Sequence, residues 1–497
     1  MCSILKISKI ITLIFTLTLL FLALKIWGNE YYATSVDIAH HYGLAQTIAA
    51  KGLKLNNPLN AYLGGMELYP PATHVLAVMM GWWVKSTILG MFLVSLISVF
   101  GIYLFICWMM GFKEFIPTLI SSSLFLILLG CFHWTNAFVG GEIIDNFFFA
   151  QVVGLFMVVV SIYLIGILPA SFMVRGIISI LITFALGWVF PISAIEFAAA
   201  ALIFQFLSAF QQRAALKKLS WLVVSRWIVF VTLLGAAIIL HPTFAFMKIV
   251  ASSEGGINLR IPPDLSVILL TSTLAILVGI MLRLFMRSSS GLLIPSIFIA
   301  AAGGICAASI AQLLVFYIAD IGSRYGTEKH IFAIATFLAA VISVLAAYPF
   351  REIIITRLRR GCMILASITA FLAFTIVLPK SGTPIKPLAN YQQSIARLSD
   401  RRFIIEDHTV SANHRLNALE NFIVSTGDLH YNIAVAIGFN LDPAYLGGAY
   451  PELLANHPIQ YELVSEDTNP PQQCIRQQLS DKSLVVDYIC MKATHTP

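Results

Sequence analysis

The residues best equipped for chemistry lie early in an otherwise apolar chain. They read Ser35-Val36-Asp37-Ile38-Ala39-His40-His41-Tyr42-Gly43-Leu44-Ala45, then Ile48 and Gly52, and further on Tyr69-Pro70-Pro71. Ile38, Ala45, Ile48 and Ala49 recur at helical spacing, which predicts an amphipathic helix opening at Asp37. Asp37 and His41, four residues apart, share one face of that helix. Asp is also a favoured helix N-cap, a role that needs no catalysis. The histidines can equally be wet residues on the polar face.

Three further groups carry ionisable side chains at positions where charge is costly. Glu142 and Asp145 are three apart at the start of an apolar run. First-turn carboxylates complement the helix dipole by about 0.3–1 kcal/mol each. As functional groups they would bind hydroxyls or, together with Asp37, a hard divalent cation. The sequence leaves both open. The stretch Asp320-Ile321-Gly322-Ser323-Arg324-Tyr325-Gly326-Thr327-Glu328-Lys329-His330 offers Arg324 and Lys329, with Arg260 behind them. At headgroup level such cations neutralise a lipid-borne phosphate, snorkel to bilayer phosphates, or pair with Glu328 and Asp320. Glu196 is a carboxylate within an apolar run, where intramembrane ionisable groups are functional candidates by default, or it lies near the outer turn and is hydrated.

The elements that must position these residues are membrane spans. Of 497 residues, 59% are hydrophobic and 11% charged, against roughly 25% charged in a soluble domain. That excludes an ordinary water-soluble enzyme, a disordered chain and a nucleic-acid binder. No Walker A loop, HExxH motif or zinc-type cysteine spacing is present. A span needs about 20 apolar residues. Apolar segments fall at about 7–27, 89–110, 116–133, 149–168, 176–191, 193–210, 222–240, 266–284, 291–318, 331–350 and 361–378. The first reads as a retained signal anchor. Residues 72–84, at 13 residues too few to span, read as an interfacial helix.

Charge sidedness supports that assignment. With the N-terminus inside and 72–84 on the surface, inner loops hold Lys6, Lys9, Lys113, Arg175, Arg213, Lys217, Lys218, Arg283, Arg287, Arg351, Arg357, Arg359 and Arg360. Outer loops hold Glu30, Asp37, Glu67, Glu142, Asp145, Glu254, Asp264, Asp320 and Glu328. If 72–84 crossed the membrane, every later basic cluster would fall outside, against the positive-inside rule. The expectation is a mainly α, polytopic bundle of about eleven spans over 1–378, with a first outer loop at 28–88.

After Pro379 the polarity becomes ordinary. The linker Pro379-Lys380-Ser381-Gly382-Thr383-Pro384 precedes β-rich runs at Arg402–Glu406, Gln460–Val464 and Leu484–Cys490, with a helical pattern near Asn413–Phe422. This predicts a small α+β domain over 379–497. Cys474 and Cys490 are its two cysteines and form a disulfide if it faces an oxidising compartment. The other five cysteines read as small buried hydrophobes.

The order VDIAHHYGLAQTIAAKG…YPPATHVL resembles the first outer loop of the GT-C superfamily of integral membrane glycosyltransferases. The overall look is nearest to the arabinosyltransferase-like and mannosyltransferase-like branches. The likeness is good over about residues 1–110 and extends to the topology and an outward C-terminal domain. The chain departs from the family at Ile38, where a second acidic residue is usual.

The resemblance implies a bacterial inner (plasma) membrane enzyme with a cytoplasmic N-terminus and a periplasmic C-terminal domain. It implies a polyprenyl-phosphate-linked sugar as donor and a cell-envelope acceptor, in contact with the bilayer and not with nucleic acid. Asp37 would be the general base, taking the acceptor hydroxyl's proton as it attacks the anomeric carbon. His40, His41, Tyr69, Glu142, Asp145, Arg260, Arg324 and Lys329 would line the substrate site. No cofactor is assigned, and a divalent cation stays open. The rival classes are a transporter or flippase of lipid-linked glycans, which commonly shows paired repeats not seen here, and a surface-polysaccharide polymerase or ligase.

Overall fold

The structure, a computed structural model, describes residues 41, 44–45, 48–49, 52, 69–84, 87–110, 115–133, 137–168, 171–216, 221–246, 248, 257, 269–270, 273, 293–347, 403–404, 461–465, 469–478 and 483–495. The expected spans at 7–27 and 361–378, most of that at 266–284, and the helical pattern at 413–422 lie outside them. The chain is mainly helical and divides into two compact units.

The larger unit takes in Tyr69–Thr73 and Val94–Ser381. The helices along the chain are α1 (Ala72–Val84), α2 (Thr87–Met109), α3 (Phe115–His133), α4 (Gly141–Asn146), α5 (Phe149–Ile167), α6 (Phe172–Val189), α7 (Pro191–Leu216), α8 (Trp221–Ile239), α9 (Leu293–Ala319), α10 (Arg324–Glu328) and α11 (Ile331–Ala347). Among the described residues, Gly90–Met109, Phe149–Ile167, Phe172–Val189, Ile297–Ala319 and Arg324–Ala347 are long and apolar enough to cross a membrane. Pro191–Leu207 and Val224–Ile239 are shorter apolar helices.

Local chemistry sets the breaks. The expected boundary after 191 falls earlier: Phe190 is extended, and Pro191, having no N–H to satisfy, opens α7. α7 then continues to Leu216, past the expected end at 210. Ser171 caps α6 by accepting from the Val174 N–H, and Arg175 donates to the Leu168 carbonyl through Nε and Nη2 (3.1 and 2.8 Å).

α7 is the hub, packing against α5, α6, α8 and α9, while α9 also meets α5 and α11. The α7–α9 contact is close and rich in small residues: a Cβ on Gly304 would run into the backbone of Ala199 and Ala200, and Ala200, Ala201, Ala300, Ala301 and Ala302 are all buried. In a bilayer close backbone approach replaces the hydrophobic drive for helix association.

The smaller unit takes in Gly28–Leu68, His74–Leu93 and Gly382–Pro497. Residues 41, 44, 45, 48 and 49 are helical, and Gly52, at φ +72°, ends that helix with its N–H on the Ile48 carbonyl. The expected 13-residue helix is α1: His74, Ala77, Val78 and Gly81 are buried while Met79, Trp82 and Trp83 are exposed. Gly90 lets α2 approach α1, because a Cβ there would run into Ala77's carbonyl and Gly81's backbone.

In the C-terminal stretch β1 (Phe403–Ile404), β2 (Tyr461–Ser465), β3 (Ile475–Gln478) and β4 (Ser483–Asp487) form a sheet in the order β1-β2-β4-β3. β1 pairs with β2 in parallel and the other pairs are antiparallel. The run expected as a strand to Cys490 is corrected: Asp487 ends β4, and its Oδ1 accepts the Cys490 N–H (3.0 Å), capping α12 (Tyr488–His495). Cys474 and Cys490 form the expected disulfide, Cα–Cα 5.5 Å. Closing a loop of sequence separation 16 is worth about 3 kcal/mol in the chain-entropy model. Non-reducing mass spectrometry is expected to recover the linked peptides, and two free thiols would put this stretch on the reducing side of the membrane.

Candidate functional site

In the larger unit the N-terminal ends of α5, α7 and α11 meet in one polar layer. Glu196, in the second turn of α7, has Oε1 2.8 Å from Nδ1 of His330, the residue before α11, and both side chains are buried. Gln151, in the first turn of α5, donates through Nε2 to the Lys329 carbonyl (2.7 Å). Ser193 lies against Gly154, where a Cβ would strike its side chain. Three helix N-termini gather here, each a source of partial positive charge.

The second carboxylate is Glu142. Glu142 and Asp145 do not open the next span, as expected, but belong to the separate short helix α4. Phe147, in the left-handed region at φ 53°, breaks the chain between α4 and α5, and Gly140 at φ +104° precedes α4. Glu142 is wholly enclosed, and its Oε2 accepts the Gly140 N–H at 2.8 Å. Burial pushes its carboxyl up to about 8; its own and Gly140's backbone N–H groups pull the other way, and nearby Glu196 adds to the rise. Reaching a substrate hydroxyl would therefore require the segment to open. The side chain of Asp145 lies outside the described residues.

The two expected phosphate-binding cations differ. Arg324 is half exposed and pairs with Glu328 through Nε (2.6 Å), the pairing foreseen as an alternative. Lys329 is buried and holds its ammonium over the rings of Phe148 (4.6 Å) and Tyr325 (4.3 Å), which fixes it by cation–π attraction. Ile257 joins the same aromatic cluster, while Arg260 is outside the described residues. Tyr69 packs against Phe190 and Phe246 and onto Ala150 and Ile192, so Tyr-Pro-Pro rests on the ends of α5 and α7.

In the smaller unit His41 and His74 meet, Nδ1 to Nε2 at 2.9 Å, with nearly parallel rings, both buried. Two neutral imidazoles satisfy this contact, one donating and the other accepting. His41 shares its buried face with Leu44, Ala45 and Ile48, so it is not a wet polar-face residue; Ala49, expected on that face, is exposed. Asp37 and His40 lie outside the described residues.

The structure thus brings Tyr69, Glu142 and Lys329 to one layer and sets His41 against His74. Sequence reasoning passed over His330, Gln151 and His74. The available signal was a lone polar side chain in, or just before, the first turn of an apolar helix. Among the described residues no three His, Cys, Asp or Glu side chains converge as metal ligands would. No protein-family model matches the chain, and no curated protein matches it.

Proposed function

We propose that the protein is a GT-C-type membrane glycosyltransferase. It moves one sugar from a polyprenyl-phosphate carrier to a cell-envelope acceptor on the extracytoplasmic side, with Asp37 as general base. The observation that carries this reading is the His41–His74 contact. It joins VDIAHHYG to YPPATHVL, the two stretches on which the resemblance rests. The topology that goes with it has eleven spans, an inner N-terminus, α1 lying in the outer interface on Met79, Trp82 and Trp83, and an outward α+β domain. The Cys474–Cys490 disulfide supports that sidedness, since such bonds persist in oxidising compartments.

The direct assay reconstitutes the full chain in proteoliposomes with a polyprenyl-phosphate sugar and a glycan acceptor. The expected result is glycosylated acceptor together with free polyprenyl phosphate. The buried Glu196–His330 pair is the feature that also suits a transporter of lipid-linked glycans. Movement of intact donor across the bilayer, with no transfer, would establish that rival.

Arg324 and Lys329 are the donor's phosphate contacts in this reading. Replacing either by Ala is expected to weaken donor binding about tenfold or more, a hydrogen bond to a charged group being worth about 1.5–3 kcal/mol. Acceptor binding should change less. Unaltered donor affinity, measured by titration with a non-transferable analogue, would leave both residues with structural roles alone.

A further inference from the structure

The polar layer holds an unusual set of atoms. Glu142 Oε1, Glu196 Oε2, His330 Nε2, Gln151 Oε1 and Ser193 Oγ are all buried and all lack a hydrogen-bond partner. They come from α4, α5, α7 and the turn before α11: Glu196 joins α7 to that turn, Gln151 joins the turn to α5, Ser193 lies against Gly154, and Glu142 is near enough to Glu196 to feel its charge. Each such atom left dry costs about 1–3 kcal/mol, so these five demand partners. Buried water is the usual one, making about three hydrogen bonds to groups of this kind.

The balance of donors and acceptors adds a second constraint. Glu196 Oε2 and Gln151 Oε1 only accept. Glu142, if ionised, would add another acceptor and an enclosed charge met by backbone N–H groups alone, its own and Gly140's, and by no described cation. An unpaired buried charge is prohibitive, and a carboxyl in that position takes a proton instead. The proton turns Glu142 Oε1 into the donor that the layer is short of.

We infer that this layer is a buried proton site: Glu142 is held as a neutral carboxylic acid and shares its proton, through enclosed water, with the Glu196–His330 pair. The titratable groups that bear on Glu142 are Glu196 from α7, with His330 paired to it, and Tyr103 from α2, while the Lys329 ammonium, beside His330 in sequence, lies over the Phe148 and Tyr325 rings. Tyr103 also donates its hydroxyl to the Val139 carbonyl, and the Val139 N–H donates to Thr336 Oγ1 (3.2 Å), so the strand of chain entering α4 is anchored to α2 and α11. Loss of the proton sets the carboxylates of Glu142 and Glu196 against each other and loosens the α4 segment. The holding of the second loop therefore depends on the pH on its side. This inference does not depend on the glycosyltransferase reading.

Infrared spectroscopy of the full chain in nanodiscs tests it. At neutral pH wild-type protein is expected to show the C=O stretch of a protonated carboxyl, shifted in D2O and lost as pH rises past about 8. Glu142→Gln should abolish the band, and Glu142→Asp should retain it. Glu196→Gln should move its loss to lower pH, because a neighbouring negative charge has gone. Wild-type protein without the band overturns the inference with no variant needed, and so does a band that survives in a folded Glu142→Gln chain.

Discussion

Asp37→Asn is expected to reduce sugar transfer by about two to four orders of magnitude, the range over which a positioned general base contributes. The substitution is informative because it separates two roles that Asp37 can fill. Asn caps a helix as well as Asp does, so a residue that only caps tolerates the exchange. A carboxamide cannot take the proton of the attacking hydroxyl, so a residue that acts as base does not. Asp37→Ala removes both roles and adds about 0.5–2 kcal/mol of lost capping. The measurements are initial rates in proteoliposomes and thermal unfolding of the same preparations. Normal stability with lost turnover and intact donor binding is the expected pattern for Asn. A variant that turns over at the wild-type rate removes Asp37 from the mechanism and leaves the glycosyltransferase proposal without its base.

Features governed by neighbouring residues were legible in the sequence. The 13-residue apolar run between Pro71 and Lys85 is α1, and the pairing of Cys474 with Cys490 followed from their being the two cysteines of the polar stretch. Other features depend on partners far apart in the chain. Glu196 stood out as a carboxylate within an apolar run, but its partner His330 is 134 residues away. His41 looked like a surface residue because the ring that covers it belongs to a helix 33 residues on. Glu142 was misplaced for a different reason. A phenylalanine at φ 53° is not a residue that advertises a left-handed break, so α4 and α5 read as one helix. The strand β3, Ile475-Arg476-Gln477-Gln478, is short and mostly polar, and its register shift between Ile475 and Gln477 erases the alternation that would reveal it.

Gly304→Val is expected to prevent assembly of the bundle, whereas Gly303→Ala, one residue away, leaves stability unchanged. A Cβ on Gly304 would lie 2.5 Å from the Ala200 nitrogen and 2.6 Å from the Ala199 carbonyl carbon and the Ala200 Cα. These are backbone atoms of α7, which cannot rotate out of the way as a side chain can. The helices must separate, and a gap of 0.5–1 Å forfeits about a quarter to a half of each contact's dispersion energy. No hydrophobic drive restores that loss within a bilayer. Overpacking at ordinary core positions costs about 1–3 kcal/mol; here the displaced element is the helix that also packs on α5, α6 and α8. Moving α7 also moves Glu196, one turn before Ala200, and with it the contact to His330. Gly304→Ala should therefore lower the thermal midpoint clearly, and Gly304→Val should give little monodisperse protein. A Cβ on Gly303 meets nothing within 4 Å, so the paired measurement controls for the general effect of replacing a helical glycine. Equal tolerance of alanine at 303 and 304 would contradict the close α7–α9 crossing on which the polar layer depends.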